Sequence, residues 1–308
     1  MQAFLDFSCL MEVKKNSFKA WLLAARPKTI TGAAVPVMIG LSLAYSDLSG
    51  SAFNVQAAIL CFLFAFIMQI DANFINDLYD FLKGTDDRST RLGPERACAQ
   101  GWVSVGHMRL AIALTTMLAC VVGLPLILWG GWPMVLVGIF CVVFCFLYTT
   151  HLSYLGLGDV LVLIFFGFVP VCITYYLQVH TFSFPVFAAS LACGLVIDAL
   201  LLVNNFRDRD TDRQAGKLTL VVRIGSEWSL MTYLAVGIAA CALGLFYVPQ
   251  GRWMAFLLPI LTYLPLHVVT YRRMCRIWEG RGLNDCLGET ARNIFIYGLA
   301  VSIGLLLH

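Results

Sequence analysis

Residues 55–72 read VQAAILCFLFAFIMQIDA, and residues 73–87 continue as NFINDLYDFLKGTDD. The first part is apolar over about the 20 residues that a helix needs to cross a bilayer. The second part loads amides and carboxylates onto the end of the same helix. An oily helix that ends in acids raises two questions: how many such helices the chain has, and what the acids hold.

The 308 residues are 60% hydrophobic and 13% charged, against about 25% charged in an ordinary soluble domain. Apolar runs of bilayer length recur along the whole chain. They predict an all-α membrane protein, one domain over residues 1–308, with about nine transmembrane helices. The spans run roughly over 29–46, 55–82, 106–128, 131–150, 157–178, 184–206, 227–248, 253–271 and 288–307. Residues 1–20 read as an interfacial or flexible segment. Their acids (Asp6, Glu12) stand early and their lysines (Lys14, Lys15, Lys19) late, which is not a signal peptide. The 11 cysteines form no C-x-x-C pair, and the histidines show no metal-ligand spacing. No feature points to nucleic acid.

Charge placement gives the topology. Of the 21 lysines and arginines, only Arg252 falls on the side of the turns SDLSGS, WGGWP, HTFSFP and VPQGRW. Cytoplasmic segments carry the excess of basic residues. The N-terminus and the long loops are therefore expected in the cytoplasm and the C-terminus outside. Of the 18 acids, only Asp47 stands clearly on the outer side. The chemistry is expected to face the cytoplasm.

Two acidic clusters follow one grammar. Asn73, Asp77 and Asp80 are spaced i, i+4, i+7, and Asn76 and Asp80 are one turn apart. On a helix these residues share a face near its end. Gly84 can stop the helix, with Asp86 and Asp87 just beyond. The second cluster closes the sixth span in LLVNNFRDRDTDRQAGKLTL, residues 201–220. There Asn204, Asp208 and Asp212 are spaced i, i+4, i+8, and Asn205 stands three residues before Asp208. Carboxylates inside a span cost about 2.5–3.5 kcal/mol each at its centre and less near its end. A cluster of them needs cations. Carboxylate and amide oxygens are hard ligands that suit Mg2+, which is typically held by one or two carboxylates plus substrate phosphates. Two facing clusters suggest two Mg2+ ions with a diphosphate between them, and Arg91, Lys217 and Lys28 can complete the charge balance. Asp87, Asp210 and Arg209 fall off these faces and read as solvated.

NDLYD followed by NNFRDRDTDRQAGKLTL resembles the UbiA superfamily of intramembrane aromatic prenyltransferases. Further stretches resemble the branch of that superfamily acting on 1,4-dihydroxy-2-naphthoate: ARPKTITGAAVPVMIG, the Gly84 position, RLGPERACAQGWVS and YLGLGDVLVLIFFG. The resemblance covers nearly the whole chain and implies nine helices around a central cavity. It implies a polyprenyl diphosphate whose head lies between the two motifs and whose tail lies among the spans. Asn73, Asn76, Asp77, Asp80, Asp86, Asp208 and Asp212 would hold Mg2+, supported by Asn204 and Asn205. Lys28, Arg91, Arg207 and Lys217 would clamp the diphosphate. Tyr154 and Asp159 would assist the diphosphate or orient the acceptor. The allylic C–O bond would ionise, the naphthoate ring would attack, and carbon dioxide would leave. Asp71 and Asp198 depart from the pattern, either as a facing pair near the cavity or as polar contacts between helices. Tyr148 and Phe146 could turn π faces to a carbocation, although plain packing accounts for them as well.

Two rival readings remain. A proton-coupled transporter would place its acids near mid-bilayer on broken helices, whereas these stand at span ends beside basic loops. The same chemistry on another acceptor, such as 4-hydroxybenzoate, differs only in motif detail.

Overall fold

The computed structural model describes residues 13–48, 52–84 and 91–307. Asp86, Asp87 and residues 1–12 lie outside the described residues, as does the side chain of Lys28. All regular structure among the described residues is helical. A short helix α1 (Phe18–Ala25) is capped by the Ser17 hydroxyl, so residues 18–20 belong to a helix. Arg26 then takes a left-handed conformation (φ 51°), and Pro27 starts α2 (Pro27–Asp47). Proline suits a first helical turn, where its missing N–H costs nothing.

The remaining long helices are α3 (Val55–Leu82), α4 (Val105–Gly130), α5 (Pro133–Leu152), α6 (Gly158–Val179) and α7 (Phe184–Gln214). After a five-residue helix α8 (Leu220–Ile224) come α9 (Ser226–Gln250), α10 (Trp253–Ile277) and α11 (Leu283–Leu306). Among the described residues, eight of these (α2–α7, α9 and α10) are long and apolar enough to cross a membrane. The ninth long helix is α11, with 24 residues. Asp285, Glu289 and Arg292 in its first three turns dilute its apolar character. It begins at Leu283, earlier than hydropathy suggests, because those polar residues are helical too.

The helices pack as a bundle. α2 lies against α3, α6 and α11, and α10 lies against α11. α7 is the most buried span and touches α2, α6, α9 and α11. The approach of α6 to α7 is close: a Cβ on Gly167 would lie 2.5 Å from the Ser190 carbonyl oxygen. A Cβ on Gly194 would lie 3.1 Å from Leu163 Cα. Small residues permit such contact, which supplies dispersion where no hydrophobic drive exists. Between α3, α4 and α5 opens a cavity of about 550 Å3 lined by Leu78, Arg109 and Phe146 among others.

Candidate active site

The two acid-bearing helices end in the same way. α3 stops at Leu82 and is followed by Gly84 at φ +73°, and α7 stops at Gln214 and is followed by Gly216 at φ +71°. Only glycine adopts that left-handed turn without cost. Each helix therefore delivers its last acids just before the chain leaves the bundle.

Three acids at these helix ends each have a cation beside them. Arg96 pairs with Asp80 at 3.2 Å, and Lys217 pairs with Asp212 at 3.5 Å. Arg207 holds both oxygens of Asp208, through Nε at 2.8 Å and Nη2 at 2.5 Å. Lys217 and two further side chains link the clusters. Arg91 lies in the fields of both Asp80 and Asp208, and Lys217 in those of Asp80 and Asp212. Tyr148 stands near Asp159, Asp80, Asp198 and Asp212. Tyr148 and Thr149 sit on a wide π-helical turn at the end of α5, a feature common at functional sites. The Thr149 hydroxyl donates to Asn76 Oδ1.

The loop after α3 is fastened from below. Asp77 is buried, and its two oxygens accept the backbone N–H groups of Ala97 and Cys98, each at 2.8 Å. The sequence suggested a metal ligand; the structure makes Asp77 the anchor of the 91–103 loop. Asn73, likewise expected at the metal, donates at 2.9 Å to both the Ala25 carbonyl and the Thr29 hydroxyl. It joins α3 to the start of α2.

Arg207, expected to grip the diphosphate, is buried and fully engaged. Besides Asp208 it donates to Asn204 Oδ1 at 2.8 Å and to Asn284 Oδ1 at 2.9 Å. Asn284 in turn donates to the Leu92 carbonyl at 2.8 Å. Arg207 thus locks α7, α11 and the loop of Arg91–Pro94 together. Gly93 fits closely there: a Cβ would lie 2.6 Å from Arg207 Nη2 and would displace the guanidinium. Arg209 was expected in water but is buried, with its guanidinium over the Phe206 and Trp278 rings. A cation over an aromatic face is favourable; Trp278 is distant in sequence, so no local pattern signals the contact. Asp210 is exposed, as expected.

Cations missed by the sequence reading complete the rim. Arg26 leaves Nη2 buried without a hydrogen-bond partner, close to Asp77 and Asp80. Burial pushes its pKa down, and those two carboxylates oppose the shift. Lys83 lies 3.9 Å from the centroid of the Tyr154 ring and donates to the Thr149 and Thr150 carbonyls. Burial pushes the Arg91 pKa down to about 10; Arg26 and Arg207 add to the fall, while Asp208 and Asp80 resist it. Several guanidiniums crowded together favour an anion among them. The placement of Arg26 before Pro27, and of Arg96 one short loop beyond Asp80, were the available signals.

Tyr154 lies beside this rim, and its carbonyl accepts the Leu218 N–H at 3.1 Å. Arg223 donates to the carbonyl of Leu155, which ties the loop after α5 to the loop after α7. Asn205 is buried on the face of α7 that carries Asp212. Asp71 and Asp198 do not face each other: Asp71 is bonded by the hydroxyls of Thr115 and Thr116, and Asp198 neighbours Asp159.

No three His, Cys, Asp or Glu side chains form a ready metal cage among the described residues. The donors nevertheless suit Mg2+. Asp212 Oδ2 is buried without a hydrogen-bond partner, and Asn76, Asp80 and Asp208 add hard oxygens. Mg2+ commonly takes few protein ligands and completes its shell with phosphate and water.

A helical bundle of membrane-spanning length with paired acids and a cationic rim at one end has the chemistry to hold an anion together with divalent metal ions. The chain belongs to the UbiA prenyltransferase family, whose model matches residues 33–282. The 1,4-dihydroxy-2-naphthoate octaprenyltransferase of Escherichia coli (strain K12) is 32% identical over 312 residues, covering 97% of this chain and 98% of that protein. The protein of the same name from Mycobacterium tuberculosis is 30% identical, covering 93% of this chain and 96% of that one. Among solved structures, a UbiA homolog from Aeropyrum pernix K1 aligns with a TM-score of 0.64 at 16% identity, covering 88% of this chain and 97% of that one. A UbiA homolog from Archaeoglobus fulgidus bound to DMAPP and Mg2+ aligns at 0.60 and 17% identity, covering 92% of this chain and 99% of that one.

Proposed function

We propose that the protein transfers a polyprenyl group from polyprenyl diphosphate to 1,4-dihydroxy-2-naphthoate, with loss of diphosphate and carbon dioxide, as a step of menaquinone biosynthesis. The carrying observation is the meeting of the α3 and α7 acids around Arg91 and Lys217. The names of the full-length relatives support the choice of acceptor.

Asn76, Asp80, Asp208 and Asp212 would hold two Mg2+ ions, and Asp86 is a further ligand candidate outside the described residues. Bound Mg2+ stabilises the negative charge on the departing diphosphate. Arg26, Arg91 and Lys217 bind the diphosphate oxygens, and Lys28 is a further candidate for that role on the sequence alone. Arg207 and Asn204 orient Asp208, Asp77 and Asn73 fix the surrounding backbone, and Asn205 supports the second motif. Tyr154 and Asp159 stand on the acceptor side. The apolar spans house the tail and exclude the water that would quench an allylic cation.

The protein lies in a bacterial cytoplasmic membrane with the site facing the cytoplasm, N-terminus inside and C-terminus outside. The crowding of cations at the site end supports this orientation. A C-terminal reporter that reads cytoplasmic would overturn the topology.

The deciding experiment combines purified protein, geranylgeranyl diphosphate and 1,4-dihydroxy-2-naphthoate, with and without Mg2+, and detects product and carbon dioxide by mass. Mg2+-dependent prenylation with decarboxylation is expected. Prenylation of 4-hydroxybenzoate instead would move the protein to another quinone route.

A further inference from the structure

α6 and α7 run antiparallel in close contact. Gly167 meets Ser190, and one turn along each helix Leu163 meets Gly194. One more turn brings Asp159 opposite Asp198, where the two carboxyls interact electrostatically. Asp198 is 4% exposed, and its Oδ1 has no hydrogen-bond partner; nor has Asp159 Oδ1, which is also buried. No cation is paired with either acid among the described residues. Tyr148 completes the group: its hydroxyl lies 3.8 Å from where a Cβ on Gly158 would stand. On α7, Asp198, Asn205 and Asp212 recur every seven residues, so Asp198 lies on the face of the candidate site, deeper in the bundle.

Buried polar atoms without partners are rare in folded proteins and call for a ligand, a water or an ion. The two carboxyls leave open acceptor oxygens on facing helices, with the Tyr148 hydroxyl beside them. The group thus offers strong acceptors and one O–H donor at one place. That is the complement of a phenolic hydroxyl, which both donates and accepts. It repels a second anion, so an aromatic acid would bind with its hydroxyl towards the pair and its carboxylate towards the cations at the rim.

We propose that Asp159, Asp198 and the Tyr148 hydroxyl form the subsite that binds a ring hydroxyl of the aromatic acceptor. The inference rests on the acceptor chemistry proposed above. A hydrogen bond from the ring O–H to the carboxylate enriches the ring in electrons, which favours attack on an allylic cation. The proton stays shared between ring oxygen and carboxylate until the new C–C bond forms.

The test compares native protein with Asp198→Asn, Asp159→Asn and Tyr148→Phe. Two readouts are taken: equilibrium binding of 1,4-dihydroxy-2-naphthoate and of 2-naphthoate, which lacks both hydroxyls, and KM and kcat for the first compound. The acid variants are expected to weaken binding of the dihydroxy compound more than tenfold and to change 2-naphthoate binding less than twofold. Mg2+-dependent binding of geranylgeranyl diphosphate should also move less than twofold, which shows that the variants are folded. Tyr148→Phe, which removes one oxygen and keeps the ring, should show the same selectivity on a smaller scale. Equal effects on both naphthoates, or none on either, would overturn the subsite. If native protein binds the hydroxylated ring selectively yet does not prenylate it, the acceptor assignment fails and the subsite stands.

Discussion

Arg252 and Asp47 lie 205 residues apart in sequence and form an ion pair, with the Tyr175 hydroxyl donating at 2.6 Å to the other Asp47 oxygen. They sit at the end of the bundle away from the site. These are the lone cation and the lone clear acid that the sequence assigned to the outer side, and the fold brings them together. Arg252 is mostly buried and Asp47 is 28% exposed. Hydrogen bonds to charged groups contribute about 1.5–3 kcal/mol. Arg252→Ala should therefore lower thermal stability in detergent by about 1–3 kcal/mol and leave kcat/KM within twofold. A loss of turnover at unchanged stability would contradict this structural role.

Asp77 and Asp80 should separate. Asp77→Ala releases the Ala97 and Cys98 amides, so residues 91–103 should gain hydrogen exchange and protease sensitivity as turnover falls. Asp80→Ala should abolish turnover without loosening that loop. Were the loop of Asp77→Ala still protected while Mg2+-dependent diphosphate binding vanished, Asp77 would be a metal ligand after all.

Gly93→Ala should mimic Arg207→Lys. The added methyl displaces the guanidinium that holds Asn204, Asp208 and Asn284. Lysine cannot replace the planar fork. Each should reduce kcat/KM roughly 10–100-fold, and the double variant should lose little more than either alone, because both remove one interaction. Additive losses would place the two residues on independent functions.

Chelation of divalent ions should abolish product formation, and Mg2+ should restore it. Asp208→Ala and Asp212→Ala should raise the Mg2+ concentration needed for half-maximal rate at least tenfold, measured by titration at fixed prenyl diphosphate. Unchanged titrations in both variants would remove the α7 acids from the metal site.

Arg91, with its pKa lowered to about 10 by burial and by neighbouring guanidiniums, should lend the site a pH limit. The charged form, which binds an anion, is complete well below that value and is lost as pH rises through it. Bound diphosphate favours the charged form and raises the pKa further. Diphosphate affinity should fall as pH rises through about 10, and Arg91→Ala should weaken affinity at pH 7.

Much of the protein is legible in its sequence because the bilayer is an exacting solvent. Backbone polar groups must be satisfied within each span, so long apolar runs read directly as helices. Basic loops gather at one end of the spans, and the i, i+4 spacing of amides and acids places Asn76 with Asp80 and Asn204 with Asp208 on shared faces. Those are local properties, and composition and periodicity report them. Only the tertiary structure decides which atoms of those residues are left for a ligand. Asp77 and Asp80 share a helix and a residue type, yet Asp77 is bonded to a distant loop. Arg207 and Arg91 read alike as phosphate clamps, yet Arg207 is bonded to its own helix and to α11. Asp198 gains its meaning from Asp159, which the close glycine contact of α6 with α7 sets opposite it. Side-chain pairing between helices depends on their rotation and register, which packing fixes across the whole bundle and no single helix encodes.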